Sequence, residues 1–564
     1  MAPARPHQDR LDLDALEART QALGRELFEA ARRHHAHLSA LNRWTAQVLA
    51  WCLSDRALKT GLLRFLDVLP SLSTPREIAR HLRETLPADV RLPAALRLGS
   101  EMARRGLVTQ RALAAVIRRL VERLGRQFIA EREPEAVARV VQDLAARGAT
   151  CSLDILGEQV LTETEADRYV EQCSVLLRRC ADAVAGLPDS TRPRICTPPV
   201  NLSVKPSALT PRFDPISPED SLERASRRLV PLLREAAERH AVIHLDMEQY
   251  ELRDLTVVLA QRLLAHPDAA RAMRLGVVVQ TYLRDAEESV DALLAWLAAH
   301  QRTLIVRLVK GAYWDSEVAW AVQRHWPVPV HQDKAQTDRM FERLTRRLLS
   351  AHPLVTTAVA SHNVRSIAHA MAVAESLGLA KDQLEFQFLY GMGEPLQAAV
   401  ASQGYPVRVY TPVGQLIPGM AYLVRRVLEN TANESFLRQD FFEGRRPDEL
   451  LAPPEEALVS STVGESPSPG LAGFRGEPLR DFARAEVRDR MRAALVSVRA
   501  ALGREYPLLI GAQAVRTPAT VTVRNPADPE QVVGRVAVAG RGEVNQAVRV
   551  AAEAQPRWAA IPVR

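Results

Sequence analysis

Leu304-Ile305-Val306-Arg307-Leu308-Val309-Lys310 is an almost unbroken apolar run with one arginine inside it and a lysine at its end. It reads as a strand buried on both faces, the kind found where helices cover both sides of a parallel sheet. Seven further runs of this type lie at comparable spacing: Thr150–Leu156, Val200–Lys205, Val242–Met247, Gly276–Thr281, Thr356–His362, Leu384–Leu389 and Val407–Tyr410. Each is separated from the next by a segment long enough to hold a helix. Eight such units over roughly 280 residues match an α/β fold of the TIM type, a (β/α)8 barrel, in count and size. That fold builds its sites at the C-terminal ends of the strands.

Polar residues gather at those ends. Lys205 ends the second strand, Asp246 and Glu248 the third, Gln280 the fourth; Arg307 and Lys310 lie on and after the fifth. His362 and Asn363 end the sixth, Tyr390 the seventh and Tyr410 the eighth. Any one of these could be a satisfied core group. A polar terminus on strand after strand is harder to explain by packing, so the group reads as a site. A short helix follows the last strand, in which Tyr422, Arg425, Arg426 and Glu429 share one face at i, i+3, i+4 and i+7. An isolated Arg-Arg pair is more often solvated surface. Above a barrel mouth, the same two guanidiniums form a fork suited to a small carboxylate.

With 564 residues, the chain is too long for one ordinary core. Composition is globular, 47% hydrophobic and 25% charged, and no apolar run reaches the ~18 residues a membrane span requires. Met1–Arg19 has no apolar core of a signal peptide. The five cysteines (Cys52, Cys151, Cys173, Cys180, Cys196) show neither CxxC nor metal spacing and read as reduced cytosolic thiols. A net charge of +7 and a pI near 9.3 come from scattered arginines rather than a polybasic run, which favours a solvated surface over nucleic-acid binding.

Four regions are expected. Residues 1–145 are a helical arm and an all-α domain, with helices through Leu11–Phe28, Ala46–Leu53, Arg76–Glu84, Arg111–Leu124 and Glu135–Arg147. Residues 146–440 are the barrel, and the Pro-rich 441–480 is a linker. In 481–564 a helix over Asp481–Leu502, strands around Pro507–Ile510, Thr520–Arg524 and Gly534–Val538, and a helix over Glu543–Trp558 form an incomplete α/β segment.

The run from Leu304 through Lys310-Gly311-Ala312-Tyr313-Trp314 closely resembles the signature of proline dehydrogenase in the bifunctional bacterial proline utilization A flavoproteins. Further matches occur in the same order: Ser152–Glu158, Ser203–Leu209, Asp246-Met247-Glu248, Gln280-Thr281-Tyr282, Ser361-His362-Asn363, Glu385–Gly393 and Tyr422–Asn430. The tail, with Asn525-Pro526-Ala527 and Val532-Val533-Gly534, is similar to the start of that family's glutamate semialdehyde (aldehyde) dehydrogenase half. The resemblance implies FAD-dependent oxidation of L-proline to Δ1-pyrroline-5-carboxylate, with electrons passed to a membrane quinone. It also implies a cytoplasmic protein peripheral to the inner face of the membrane, and a homo-oligomer in the full-length form.

For the site, the resemblance implies that Arg425 and Arg426 hold the proline carboxylate with Lys205 alongside, and that Tyr313, Leu389, Tyr410 and Tyr422 line the pocket. Its flavin contacts fall on Asp246, Gln280, Arg307, Val309, Lys310, Gly311, Ala312, Trp314, His331, Gln332, His362, Asn363, Glu429 and Phe436. No metal is expected. At His331-Gln332 the family often has an aromatic residue and a threonine. No ribbon-helix-helix module precedes the helical region, no cysteine follows Cys196 to serve as an aldehyde dehydrogenase nucleophile, and no GxGxxG follows a strand. The alternative reading is that this chain is part of the full bifunctional enzyme, which also oxidises glutamate semialdehyde to glutamate with NAD.

Overall fold

The computed structural model describes residues 12–36, 60–61, 64–65, 68–85, 107–131, 133–157, 160–189, 195, 197–267, 274–415, 447–454, 477 and 479–562. The expected helix over Ala46–Leu53 and the segment carrying Tyr422, Arg425, Arg426, Glu429 and Phe436 lie outside the described residues. The chain divides into two units, Met1–Leu479 and Arg480–Arg564.

All eight anticipated strands form. In chain order they are β1 (Ala149–Ile155), β2 (Asn201–Val204), β3 (Val242–Leu245), β4 (Arg274–Gln280), β5 (Leu304–Val309), β6 (Val355–Ala360), β7 (Leu384–Leu389) and β8 (Val407–Val413). They pair in that order as a closed parallel barrel, and β1 joins β8 in the register Ser152 to Tyr410. The eighth strand runs three residues past Tyr410 because Pro412 does not end it. Proline lacks only the N–H, and its carbonyl accepts from the Ala130 N–H at 2.8 Å.

The strands are buried on both faces, but the faces differ in chemistry. Outward positions such as Leu153, Leu202, Leu245, Val306, Phe386 and Val409 pack under the helices at 0–1% exposure. Inward positions carry Ser152, Asn201, Ser203, His244, Arg307, Glu385, Gln387 and Arg408, also buried. The interior of the barrel is therefore a hydrogen-bonded polar column.

Among the described residues, four α-helices precede the barrel: α1 (Leu13–Ala36), α2 (Pro75–Thr85), α3 (Leu107–Phe128) and α4 (Pro134–Ala146). The barrel helices are α5 (Glu163–Ala185), α6 (Pro218–Glu238), α7 (Tyr250–Ala265), α8 (Ala286–Ala299), α9 (Trp314–Arg324), α10 (Lys334–Leu349), α11 (Val364–Ser376) and α12 (Glu394–Ser402). Local chemistry fixes several starts. Thr162 and Glu165 make a reciprocal capping box at α5, Asp333 accepts from the Ala335 N–H at α10, and Asn363 accepts from the Ser366 N–H at α11.

Helix α1 lies against α11 and α12. Its Leu16, Leu23, Leu27 and Phe28 are each 3% exposed or less, and such burial is worth about 1.5–3 kcal/mol per side chain. A buried arginine, Arg365 of α11, secures it: the guanidinium donates to both oxygens of Glu17 at 2.8 Å, to Glu342 at 2.8 and 3.2 Å, and to the Leu451 carbonyl at 2.6 Å. Leu451 follows a one-turn helix, α13 (Pro447–Leu450). Helices α2 and α3 form a smaller core around Phe65, Ile78, Leu113 and Phe128, which includes Met392 and reaches Leu156 and Leu389 at the strand ends.

The second unit holds α14 (Ala485–Ala501), β9 (Arg504–Tyr506), β10 (Leu508–Ile510), β11 (Gln513–Val515), β12 (Thr520–Asn525), β13 (Asp528–Ala537) and α15 (Arg541–Ala559). The antiparallel β12–β13 ribbon turns at Asn525, whose Oδ1 accepts from the Ala527 N–H at 3.0 Å, and β9 pairs in parallel with β13. Strands β9 and β11 were not anticipated, and β13 begins six residues before the expected Gly534.

Candidate active site

Alternation along β5 turns Arg307 into the barrel, where its guanidinium is 4% exposed. A cation buried there needs partners, and it has them from four directions. Nε donates to Gln387 Oε1 at 2.6 Å, Nη1 to Asp246 Oδ1 at 2.8 Å, and Nη2 to the hydroxyls of Ser203 at 3.1 Å and Ser152 at 3.3 Å. Four of its five N–H donors are thereby engaged, leaving one on Nη1 among the described residues. Tyr410 of β8 donates its hydroxyl to the other oxygen of Asp246 at 2.9 Å, and its ring lies under the guanidinium at 5.2 Å. Asp246 thus joins β3, β5 and β8 at the mouth.

Lys205, just past β2, forms an ion pair with Asp154 of β1, and its backbone N–H donates to the Tyr169 hydroxyl oxygen at 3.1 Å. Burial opposes its charge, but Asp154, Asp246 and Glu248 outweigh burial and raise its pKa above the ordinary lysine value. Glu248 accepts from the Ser207 N–H at 2.9 Å and hydroxyl at 2.5 Å, while burial pushes its carboxyl up. Below this layer His244 is fully buried. Burial, with Arg307 and Arg408 nearby, pushes its imidazole well below the usual range, so the ring is neutral. It packs flat on the backbone of β4 at Gly276, where any Cβ would overlap the ring.

The rim after β5 has a different character. Lys310 pairs with Asp338 of α10 and sits 5.8 Å from the Phe341 ring. Gly311 has φ +132°, a conformation that side chains avoid, and a Cβ there would meet the Tyr282 ring at 2.5 Å. Trp314, 40% exposed, donates its indole N–H to the His331 carbonyl at 2.8 Å. The His331 N–H in turn donates to the Tyr282 carbonyl at 2.8 Å. Next along the rim, after β6, His362 Nε2 accepts from the Leu389 N–H of β7 at 3.1 Å, and Asn363 caps α11.

The structure therefore brings Lys205, Asp246, Arg307 and Tyr410 into one bonded constellation. Gln280 and Leu389 sit at strand ends beside it, and Val309, Lys310, Gly311, Ala312, Tyr313 and Trp314 follow along the rim. His331 is tied to this rim through its backbone, whereas the Gln332 side chain is exposed and, among the described residues, reaches only the Val330 carbonyl at 3.4 Å. Tyr422, Arg425, Arg426, Glu429 and Phe436 are outside the described residues. Sequence reasoning missed Asp154, Gln387 and the Glu385–Arg408 pair. Their signal was present: Ser152/Asp154, Glu385/Gln387 and Arg408/Tyr410 are polar residues at spacing two inside otherwise apolar strands.

The donor set suits a flavin. The buried Gln280 Oε1 has no hydrogen-bond partner among the described residues, and its Nε2 donates to the Glu248 carbonyl at 3.2 Å. That leaves an acceptor for a ring N–H at the end of β4, the strand paired with the one that carries Arg307, and a side-chain-free backbone approach at Gly311. No group of three or more His, Cys, Asp or Glu that could hold a metal ion occurs among the described residues.

Comparison with known proteins identifies the family. The family described as proline dehydrogenase matches residues 137–439, and the proline utilization A N-terminal domain matches 17–128. Bifunctional protein PutA of Escherichia coli (strain K12) is 31% identical over 457 residues, covering 78% of this chain and 34% of that protein. Proline dehydrogenase 1 of Bacillus subtilis (strain 168) is 28% identical over 317 residues, 56% of this chain and 90% of that one. Among solved structures, proline utilization A from Bdellovibrio bacteriovorus inactivated by N-propargylglycine superposes with a TM-score of 0.85 at 33% identity, covering 97% of this chain and 55% of that chain. The chain thus spans about a third of the length of the bifunctional curated relatives, 34% of the Escherichia coli protein.

Proposed function

As the chain belongs to the proline dehydrogenase family, we propose that it oxidises L-proline to Δ1-pyrroline-5-carboxylate with FAD. In this reading ring carbon C5 of proline gives up a hydride and the ring nitrogen gives up its proton, so that a C5–N double bond forms. FAD, when bound, supplies the hydride acceptor at N5. Everything else is done by the chain's own residues. Arg307, with one N–H to spare, places a fixed positive charge where negative charge arrives. Gln280 supplies the acceptor that orients the ring, and Trp314 offers a flat, half-open face for an adenine. On the family resemblance Arg425 and Arg426 take the substrate carboxylate together with Lys205, which Asp154 keeps charged, and fixing that end of proline is what orients C5 toward the flavin.

The observation that carries this reading is the enclosed Arg307–Asp246–Tyr410 group at the C-terminal mouth, beside the Lys205–Asp154 pair. Arranged so, the site holds one cation inside the barrel for a cofactor and a second near the rim for an anionic substrate. The test is colour. The purified protein is expected to be yellow, with a flavin spectrum that bleaches when L-proline is added without oxygen. A colourless protein with no proline-dependent dye reduction overturns the reading.

The acceptor of the electrons in this reading is a membrane quinone, met from the cytoplasmic face by a homo-oligomeric protein. Proline-dependent reduction of a quinone in liposomes tests it. A second reading keeps the proline site and places it in a protein that also oxidises glutamate semialdehyde with NAD. The name of those relatives, bifunctional protein PutA, and the separate unit at 480–564 support that reading. This chain by itself, with no cysteine after Cys196, is expected to reduce no NAD with that aldehyde.

A further inference from the structure

We propose that Gln387 is a positioning residue for Arg307, held in place by the Glu385–Arg408 pair at the opposite end of the barrel. The closed end of the barrel then sets how its mouth holds a flavin. This rests on the reading that Arg307 lies against that flavin.

The pair lies at the start of β7 and β8. Arg408 and Glu385 are both 0% exposed and paired, Nε to Oε1 at 3.0 Å and Nη2 to Oε2 at 3.3 Å. The rest of the guanidinium is consumed by the carbonyls of Cys151, Pro198 and Pro199 and by the Thr197 hydroxyl at 2.7 Å. Thr197 also donates to Glu385 Oε2 at 2.6 Å. Burial disfavours the Glu385 carboxylate, but Arg408 outweighs it and holds the carboxyl below its usual range, so Glu385 is ionised.

An ionised carboxylate can only accept. The amide of Gln387, two residues along β7, must therefore turn its NH2 toward Glu385 Oε1, at 2.5 Å. Its carbonyl oxygen is then forced toward Arg307 Nε, at 2.6 Å. In the flipped amide two donors would face the Arg307 cation and the carbonyl would face a carboxylate. The charge of Glu385 thus selects one orientation, and that orientation supplies the third edge of the guanidinium plane. Asp246 holds Nη1 and the two serines hold Nη2, but only Gln387 holds Nε. Three anchored directions fix the plane of a guanidinium, and two let it tilt.

The test uses the full chain, stripped of flavin and titrated with FAD, with the reduction potential measured by dye equilibration. Gln387→Met keeps volume and removes the acceptor. It is expected to bind FAD about tenfold more weakly, the effect of losing one charge-assisted contact, and to show a moved potential and visible spectrum with far-UV circular dichroism unchanged. Gln387→Glu, protonated between Arg307 and Glu385, has the same donor and acceptor as the amide and is expected to restore most of both readouts. If Gln387→Met keeps the FAD affinity and potential of the unsubstituted protein and only melts earlier, the residue is structural and the inference falls. Should the Met variant not fold, Gln387→Asn withdraws the acceptor by one methylene, and unchanged affinity and potential there overturn the inference equally. Failure of the functional reading looks different: the unsubstituted protein would then bind no FAD or fail to bleach with proline.

Discussion

Replacing Arg408 with methionine removes a guanidinium of zero exposure and leaves Glu385, also at zero exposure, without its cation. Breaking a buried pair by removing one partner costs about 3–5 kcal/mol, because the remaining charge is stranded. Three carbonyls, those of Cys151, Pro198 and Pro199, lose their donor as well. A domain is stable by only about 5–15 kcal/mol, so this is a large fraction of the total. The expected fall in melting temperature is on the order of 10 °C, followed by near-UV circular dichroism. The pH dependence gives the sharper check. In the parent protein the depressed Glu385 pKa contributes stability above the ordinary glutamate range, and this is lost as pH falls through the folded pKa. In the variant the Arg408 cation is gone and only the Thr197 and Gln387 hydrogen bonds oppose burial, so the pKa rises and the folded form binds the proton more readily. The deficit of Arg408→Met should then be largest near neutrality and shrink toward about pH 4.3. Adding Glu385→Leu should recover much of the loss, since a well-packed apolar pair is often as stable as a buried ion pair. A deficit that is constant with pH, or one that the second substitution doubles, would refute the reasoning.

Three other outcomes are expected. Asp154→Asn removes the main carboxylate against Lys205, so the raised lysine pKa falls. The rise in KM for proline at alkaline pH should then begin at lower pH than in the parent, and an unmoved alkaline limb would remove Lys205 from carboxylate binding. Arg425→Met or Arg426→Met should each cost about 1.5–3 kcal/mol in affinity for a carboxylate inhibitor while FAD stays bound, as read by titration of the flavin spectrum. Gly276→Ala puts a methyl into the His244 ring, which the Asn201 side chain contacts at 3.2 Å. It should destabilise by about 1–3 kcal/mol in urea unfolding, and His244→Ala in the same chain should relieve the overlap.

Much of this protein was legible in its linear order. The eight strands are contiguous apolar runs, and a strand covered by helices on one side and enclosed on the other must bury nearly every residue, so the signal is local. The observed β7, Leu384–Leu389, has the expected bounds, and the others differ by a few residues at their ends. Lys205 and Asp246 were found because each sits just past a strand terminus, where the barrel puts its chemistry; Tyr410 was read as the end of β8 and lies inside it, with three more strand residues beyond. What the residues could not say is who meets whom. Arg307 could have faced any of several carboxylates, and only closure of the barrel decides that β1, β2, β3 and β7 all reach it. Lys310 read as a flavin contact, and the packing of α10 places Asp338 against it. Asp154, Glu385, Gln387 and Arg408 looked like scattered exceptions within apolar strands. They became a column only when the strands curled until their inward faces converged. Spacing along the chain specifies that the strands exist and which side chains alternate. The direction of a hydrogen bond between residues 80 or more positions apart is fixed by the tertiary structure alone, since the energy of an unpaired buried charge depends on what the fold brings within about 3 Å of it.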